Sequence, residues 1–190
     1  MNGRYARITA RKLGAAIVDG TWARGYVDAL EEAEDEAPPP PARARTLSVG
    51  WAWQALAFLL ARAAFPVDLV HGGKEFGGAE WGYGPPRYLE PDEVALAARA
   101  VGETSFAALT DGVAPADLAA ADLYPSGKWS SPDALFEVQA FYEPLHLFVR
   151  AAAREREAVL LWIELRRGVA EGDGTDTGIL LLQGGGNSHR

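Results

Sequence analysis

The chain has 190 residues, 48% of them hydrophobic and 23% charged, which excludes a disordered, collagen-like or low-complexity protein. A single domain of this size buries about 70% of the surface its unfolded chain exposes. With no cysteine there is no disulfide framework, no thiolate metal site and no thiol catalysis, and the net charge of −8 argues against broad contact with nucleic acid or anionic membrane.

In chain order, the alternation of Tyr5 and Arg7 with Ala6 and Ile8 predicts a strand over Arg4 to Thr9. Thr9 then offers an N-cap to a helix presenting Leu13, Ala16 and Ile17. A second helix is expected from Thr21, with Trp22, Tyr26, Leu30 and Ala33 recurring every three or four residues. It ends in the acidic run Glu31, Glu32, Glu34, Asp35 and Glu36. The prolines from Pro38 to Pro41 then make residues 37–45 a surface linker. Ser48 to Ala64, apolar on most faces around Trp51, Trp53, Leu56 and Leu59, reads as a buried helix.

Val67 to His71 reads as a strand leading into a segment, Gly72 to Gly84, that holds six glycines. Arg87 to Leu89 is extended, and Pro91 sits at the first position of a helix carrying Val94, Ala97 and Val101. Short helical turns follow from Ser105 to Ala121. Ser131 and Pro132 are a cap and first-turn pair for a long helix in which Pro144 predicts a kink or break. Ala158 to Ile163 is a buried strand. Residues 168–190 hold seven glycines and one apolar run, Ile179 to Leu182, expected as an edge strand. Strands mixed with several helices give an α/β domain with a small mixed sheet. The most apolar stretch, Trp51 to Val70, is broken by Gln54, Arg62, Pro66 and Asp68 and fails as a membrane span. With no visible targeting segment, a cytoplasmic protein is expected.

Several segments together resemble a known family. They are Gly3 to Thr9, Trp53 to Leu60, Gly72-Gly73, Gly82-Tyr83-Gly84-Pro85-Pro86-Arg87-Tyr88-Leu89, Pro91 to Val94, Tyr124-Pro125 with Trp129, and Phe148 before Ala151-Ala152. The chain resembles the YfbM-like family of small bacterial proteins, a domain of unknown function, over residues 1–167. The resemblance implies a single compact three-layer α/β domain with no established activity, followed by a glycine-rich extension over 168–190 that has no counterpart in the family. The family pattern often carries histidine around the tryptophan motif, where this chain has Gln54 and Ala57. Chemistry done by those histidines in relatives would be lost here.

The candidate ligand-binding residues are His71, Gly72, Gly73, Trp81, Tyr83, Gly84, Arg87, Tyr88 and Trp129. Glycines let backbone amides approach a ligand, and consecutive N–H groups form anion-binding nests. Arg87 offers a planar fork to phosphate or carboxylate, Tyr83, Tyr88 and Trp81 offer rings for stacking, and Trp129 stands beside Lys128 in a loop. His71 is a candidate general base with Glu75 or Glu80 to orient it. The segment lacks the third glycine of a dinucleotide fingerprint and the lysine of a phosphate loop. No histidine pair has metal-ligand spacing and no cofactor is expected.

The expected function is a non-catalytic binding or interaction protein, of inhibitor or immunity type, whose acidic surface steers toward a basic protein partner. The alternative is a small-ligand protein or modest enzyme that holds an anionic metabolite or nucleotide with Gly72 to Tyr88 and Arg87.

Overall fold

A computed structural model of the chain describes residues 1–78 and 80–165. Strand β1 (Asn2–Thr9) ends where the Thr9 hydroxyl accepts the Lys12 N–H and opens helix α1 (Ala10–Val18). Helix α2 (Gly20–Glu36) is capped by Asp19, whose carboxylate accepts the N–H groups of Thr21 and Trp22 at 3.0 and 2.9 Å. Strand β2 (Thr46–Gly50), helix α3 (Trp53–Arg62), the short strands β3 (Lys74–Glu75) and β4 (Arg87–Leu89), and helix α4 (Pro91–Glu103) follow. Two short helices, α5 (Phe106–Leu109) and α6 (Pro115–Ala120), precede the long α7 (Ala134–Arg154) and strand β5 (Glu157–Glu164).

The sheet has the order β2-β1-β5-β4-β3, and all four neighbouring pairs are antiparallel. The expected α/β domain therefore forms, with an antiparallel sheet in place of a mixed one. Strand β5 shows why there are three layers. Its Val159, Leu161 and Ile163 enter a large core built with α3, α4 and α7, while Ala158, Leu160 and Trp162 enter a second core with Leu13, Ala16, Ala23 and Val27 of α1 and α2. Side chains that alternate across a strand and are apolar on both faces need cover on both faces.

Several expectations are corrected. Val67 to His71 is a turn rather than a strand, because the Asp68 carboxylate accepts the N–H groups of Val70 and His71 at 2.9 and 2.8 Å and its carbonyl accepts that of Gly72. The helix read from Ser48 begins only at Trp53, since β2 occupies Thr46 to Gly50 on the sheet edge beside β1. Ser131 accepts the Asp133 N–H within a turn, and α7 starts at Ala134. Pro144 does not break α7, which runs through it for 21 residues. Packing of Val138, Tyr142, Leu145, Phe148 and Val149 into the core outweighs the one helical hydrogen bond a proline removes. The edge strand expected at Ile179 to Leu182 lies outside the described residues.

The proline segment is clamped. Arg7 on β1 and Glu157 on β5 are diagonal neighbours in the ladder, where Arg7 lies opposite Val159 and Glu157 opposite Thr9; they are only 4% and 5% exposed, with Nε and Nη2 of Arg7 each 2.8 Å from Oε2. Arg45 reaches the other oxygen of Glu157 at 2.9 Å and donates to the Arg7 carbonyl, while Arg7 donates to the Ala44 carbonyl. Glu34 of α2 accepts from the backbone of Arg45 and from both the N–H and the hydroxyl of Thr46.

Candidate functional site

The glycine segment closes the β3–β4 hairpin at one sheet edge, with Glu75 opposite Arg87 in register. Four of its backbone amides are committed to other backbone groups. Gly72 donates to the Asp68 carbonyl, Gly73 to Tyr88, Phe76 to Pro86 and Tyr83 to Ile163. Its glycines instead solve close approaches: a Cβ on Gly82 would lie 2.3 Å from the Ile163 oxygen, and one on Gly77 would lie 2.6 Å from the Gly20 Cα. These four amides therefore serve the fold.

Beside the hairpin, two open cavities of about 520 and 480 Å³ adjoin at Gln54 and His71, which line both, and the pair is termed the trough. The first is apolar, lined by Phe58, Phe65, Val67 and Leu123 among others. The second is framed by Trp53, Tyr83, Pro85 and Arg87, with β5 residues Leu161 to Ile163 as its floor. It lies where β4 stops: β4 covers β5 only from Val159 to Leu161, whereas β1 covers it through Glu164.

His71 stands at the junction. Its Nδ1 is 3.2 Å from Asp68 Oδ2, and its ring meets Trp53 edge-on at 6.0 Å. Burial alone would raise the Asp68 carboxyl. The hydrogen bonds from the His71 ring and from the N–H groups of His71 and Val70, with the adjoining imidazole, hold it down at about 2. Behind it, the Tyr5 hydroxyl is buried without a hydrogen-bond partner among the described residues and is pushed well up, first by burial and then by the Asp68 charge. Arg87 pairs with Glu75, and the Gln54 carbonyl accepts the Tyr124 N–H.

The sequence-derived candidates thus separate. His71, Tyr83 and Arg87 meet in the trough. Gly72 is buried behind it with φ of +72°, Gly73 packs beside the Glu93 carboxylate, and Gly84 turns the chain at +83°. Trp81 and Tyr88 lie on the other face of the sheet, in the second core, where Trp81 stacks edge-on with Phe76 and Trp162 beneath the Arg24 guanidinium. Trp129 is 1% exposed, packs against Trp51 and donates to the Leu123 carbonyl. Glu75 engages Arg87, so the orienter of His71 is Asp68. Reading the strand over Val67 to His71 hid that residue, although an aspartate three positions ahead of a histidine is a local turn signal. Trp53, read as helix core, and Gln54, a polar position of the same helix, also face the trough. In the acidic run, Glu31 pairs with Arg4 and Glu34 caps the start of β2, leaving Glu32, Asp35 and Glu36 exposed.

Fold and site together define a three-layer α/β domain with an open trough at one edge of its sheet. The chain belongs to the DUF1877 family, a domain of unknown function, which matches residues 1–162. It is similar to the crystal structure of YfbM from Escherichia coli, a protein of unknown function, at 15% identity and a TM-score of 0.55, over 86% of this chain and 99% of that one. That likeness is one of fold. No curated protein matches the chain. Among the described residues no helix is long and apolar enough to cross a membrane.

Proposed function

We propose that the protein binds a small ligand in the trough between α3 and the β3–β4 hairpin. The observation that carries this reading is the meeting of two cavities, each within the roughly 300–1,000 Å³ of small-molecule sites, at a histidine fixed by Asp68. The wall is pre-formed: Trp53 is in the core, and His71 and Gln54 are each tied to a neighbour. A site held in shape before binding loses less entropy on binding. The acidic helix end supports the partner reading less, because Glu31 and Glu34 serve internal contacts.

The test is a thermal-shift screen of organic acids, nucleotides, sugar phosphates and aromatic compounds against the wild type and His71→Ala. A ligand at one hundred times its Kd stabilises by about 2.7 kcal/mol, which for a chain of this size raises Tm by roughly 5–10 °C. A shift of that order that is lost in His71→Ala supports the reading. Shifts untouched by His71→Ala, or none from any compound, refute it.

A further inference from the structure

We infer that the ligand of this trough is an anionic amphiphile, its alkyl or acyl chain lying in the apolar cavity and its head at the junction of Gln54, His71 and Arg87. This rests on the binding reading above and adds the class of ligand. Both cavities are mostly apolar, and they differ in the charged side chains on their walls. The first offers Phe58, Phe65, Val67 and Leu123, and its single charged wall residue, Asp68, is already paired with His71. The second has Arg87 and His71 among its walls and no acidic side chain among the described residues that line it.

At the junction the hydrogen-bonding capacity left over is that of donors and of the imidazole. The Gln54 carbonyl is occupied by the Tyr124 N–H, so its amide –NH₂ is what remains, and it donates to no group among the described residues. His71 uses Nδ1 on Asp68, and its Nε2 has no partner among the described residues. Arg87 is held by Glu75, but both side chains are partly exposed and such a pair is readily exchanged. A carboxylate or phosphate head would accept from the Gln54 amide and the Arg87 guanidinium, and from His71 Nε2 when the ring carries both protons. A chain attached to it would run along α3 into the apolar cavity, where water is displaced from carbon. An amphiphile satisfies both halves at once.

Isothermal titration of the full chain with hexanoate, octanoate and decanoate, each beside its matching alcohol, tests this. Each added methylene should tighten binding by about fourfold, the fold-change of about 0.8 kcal/mol per buried CH₂. Each acid should bind at least about tenfold tighter than its alcohol, as charge-assisted hydrogen bonds require. Arg87→Gln should abolish the preference for acid and keep the chain-length slope. Ala61→Trp, at an exposed α3 position on the apolar cavity, should flatten the slope and keep the fold.

Affinity independent of chain length overturns the apolar half of the inference, and alcohols binding as tightly as acids overturn the anionic half. If the alkanoates fail to bind while another compound gives a His71-dependent thermal shift, the amphiphile is wrong and the trough stands. If neither occurs, both readings fall.

Discussion

Removing the carboxylate of Glu157 should be among the most damaging single changes in the sheet. It sits between two guanidiniums, those of Arg7 and Arg45, and is 5% exposed, as buried as Arg7 itself. Glu157→Ala leaves Arg7 in the sheet with no counter-charge and with Arg45 close by, the situation in which breaking a buried pair costs about 3–5 kcal/mol. Against a total stability of roughly 5–15 kcal/mol, that lowers Tm by roughly 6–20 °C. Urea unfolding followed by tryptophan fluorescence should show a lower midpoint at unchanged m-value, because the surface exposed on unfolding is nearly the same. The double variant Arg7→Met with Glu157→Leu should recover most of the loss, since Arg45 is about one-third exposed and water can serve it. A Glu157→Ala loss below about 1 kcal/mol would refute the argument. So would a double variant as unstable as the single one, which would make packing rather than charge the cause.

Two further outcomes follow from the geometry. The Asp68 carboxyl lies below its unfolded value of 3.8, at about 2, so its contribution to stability is complete above the higher value and is lost as pH falls toward the lower. With the side chain half exposed, solvent screening reduces that contribution to about 1 kcal/mol. Asp68→Asn should flatten the acid limb of a stability-against-pH curve by that amount, and superimposable curves would contradict the assignment. Gly82→Ala should cost about 3 kcal/mol or more, because its Cβ would fall 2.3 Å from the Ile163 carbonyl oxygen and backbone must move. Wild-type stability in that variant would show that the hairpin does not rest on this approach.

The elements that announced themselves in the sequence are those whose local signals agree with their packing. Strand β1 alternates and then meets the Thr9 cap, and Pro91 marks the start of α4. Where local and tertiary demands diverge, the reading failed. Pro144 signals a break, but a helix with its buried stripe on the core tolerates it. Val67 to His71 has the apolar Val67, Leu69 and Val70 of a strand, yet one aspartate side chain folds it into a turn. Strand β2 is masked by the helical run that follows, and only its ladder with β1 reveals it. For the site, sequence reached His71, Tyr83 and Arg87 because glycine and histidine stand out along a chain. It did not separate them from Trp81, Tyr88 and Trp129, because which face of a sheet a ring takes depends on register. The apolar half of the trough was illegible for a simpler reason: Phe58, Phe65 and Leu123 are ordinary core residues until the turn at Asp68 leaves a gap between them.

The pairing of β1 with β5 also sets a clock on the ribosome. Asn2 lies against Glu164 and Thr9 against Glu157, so the central ladder joins segments separated by nearly the whole described chain. Until β5 has been made, β1 has only the short edge strand β2 beside it, and the apolar faces of α1 and α2 lack half of their core. At about 5–20 residues per second, the nascent chain spends seconds to tens of seconds exposing Tyr5, Ile8, Leu13 and Val27. Contacts of such sequence separation form slowly. This protein therefore completes its fold after synthesis of the domain.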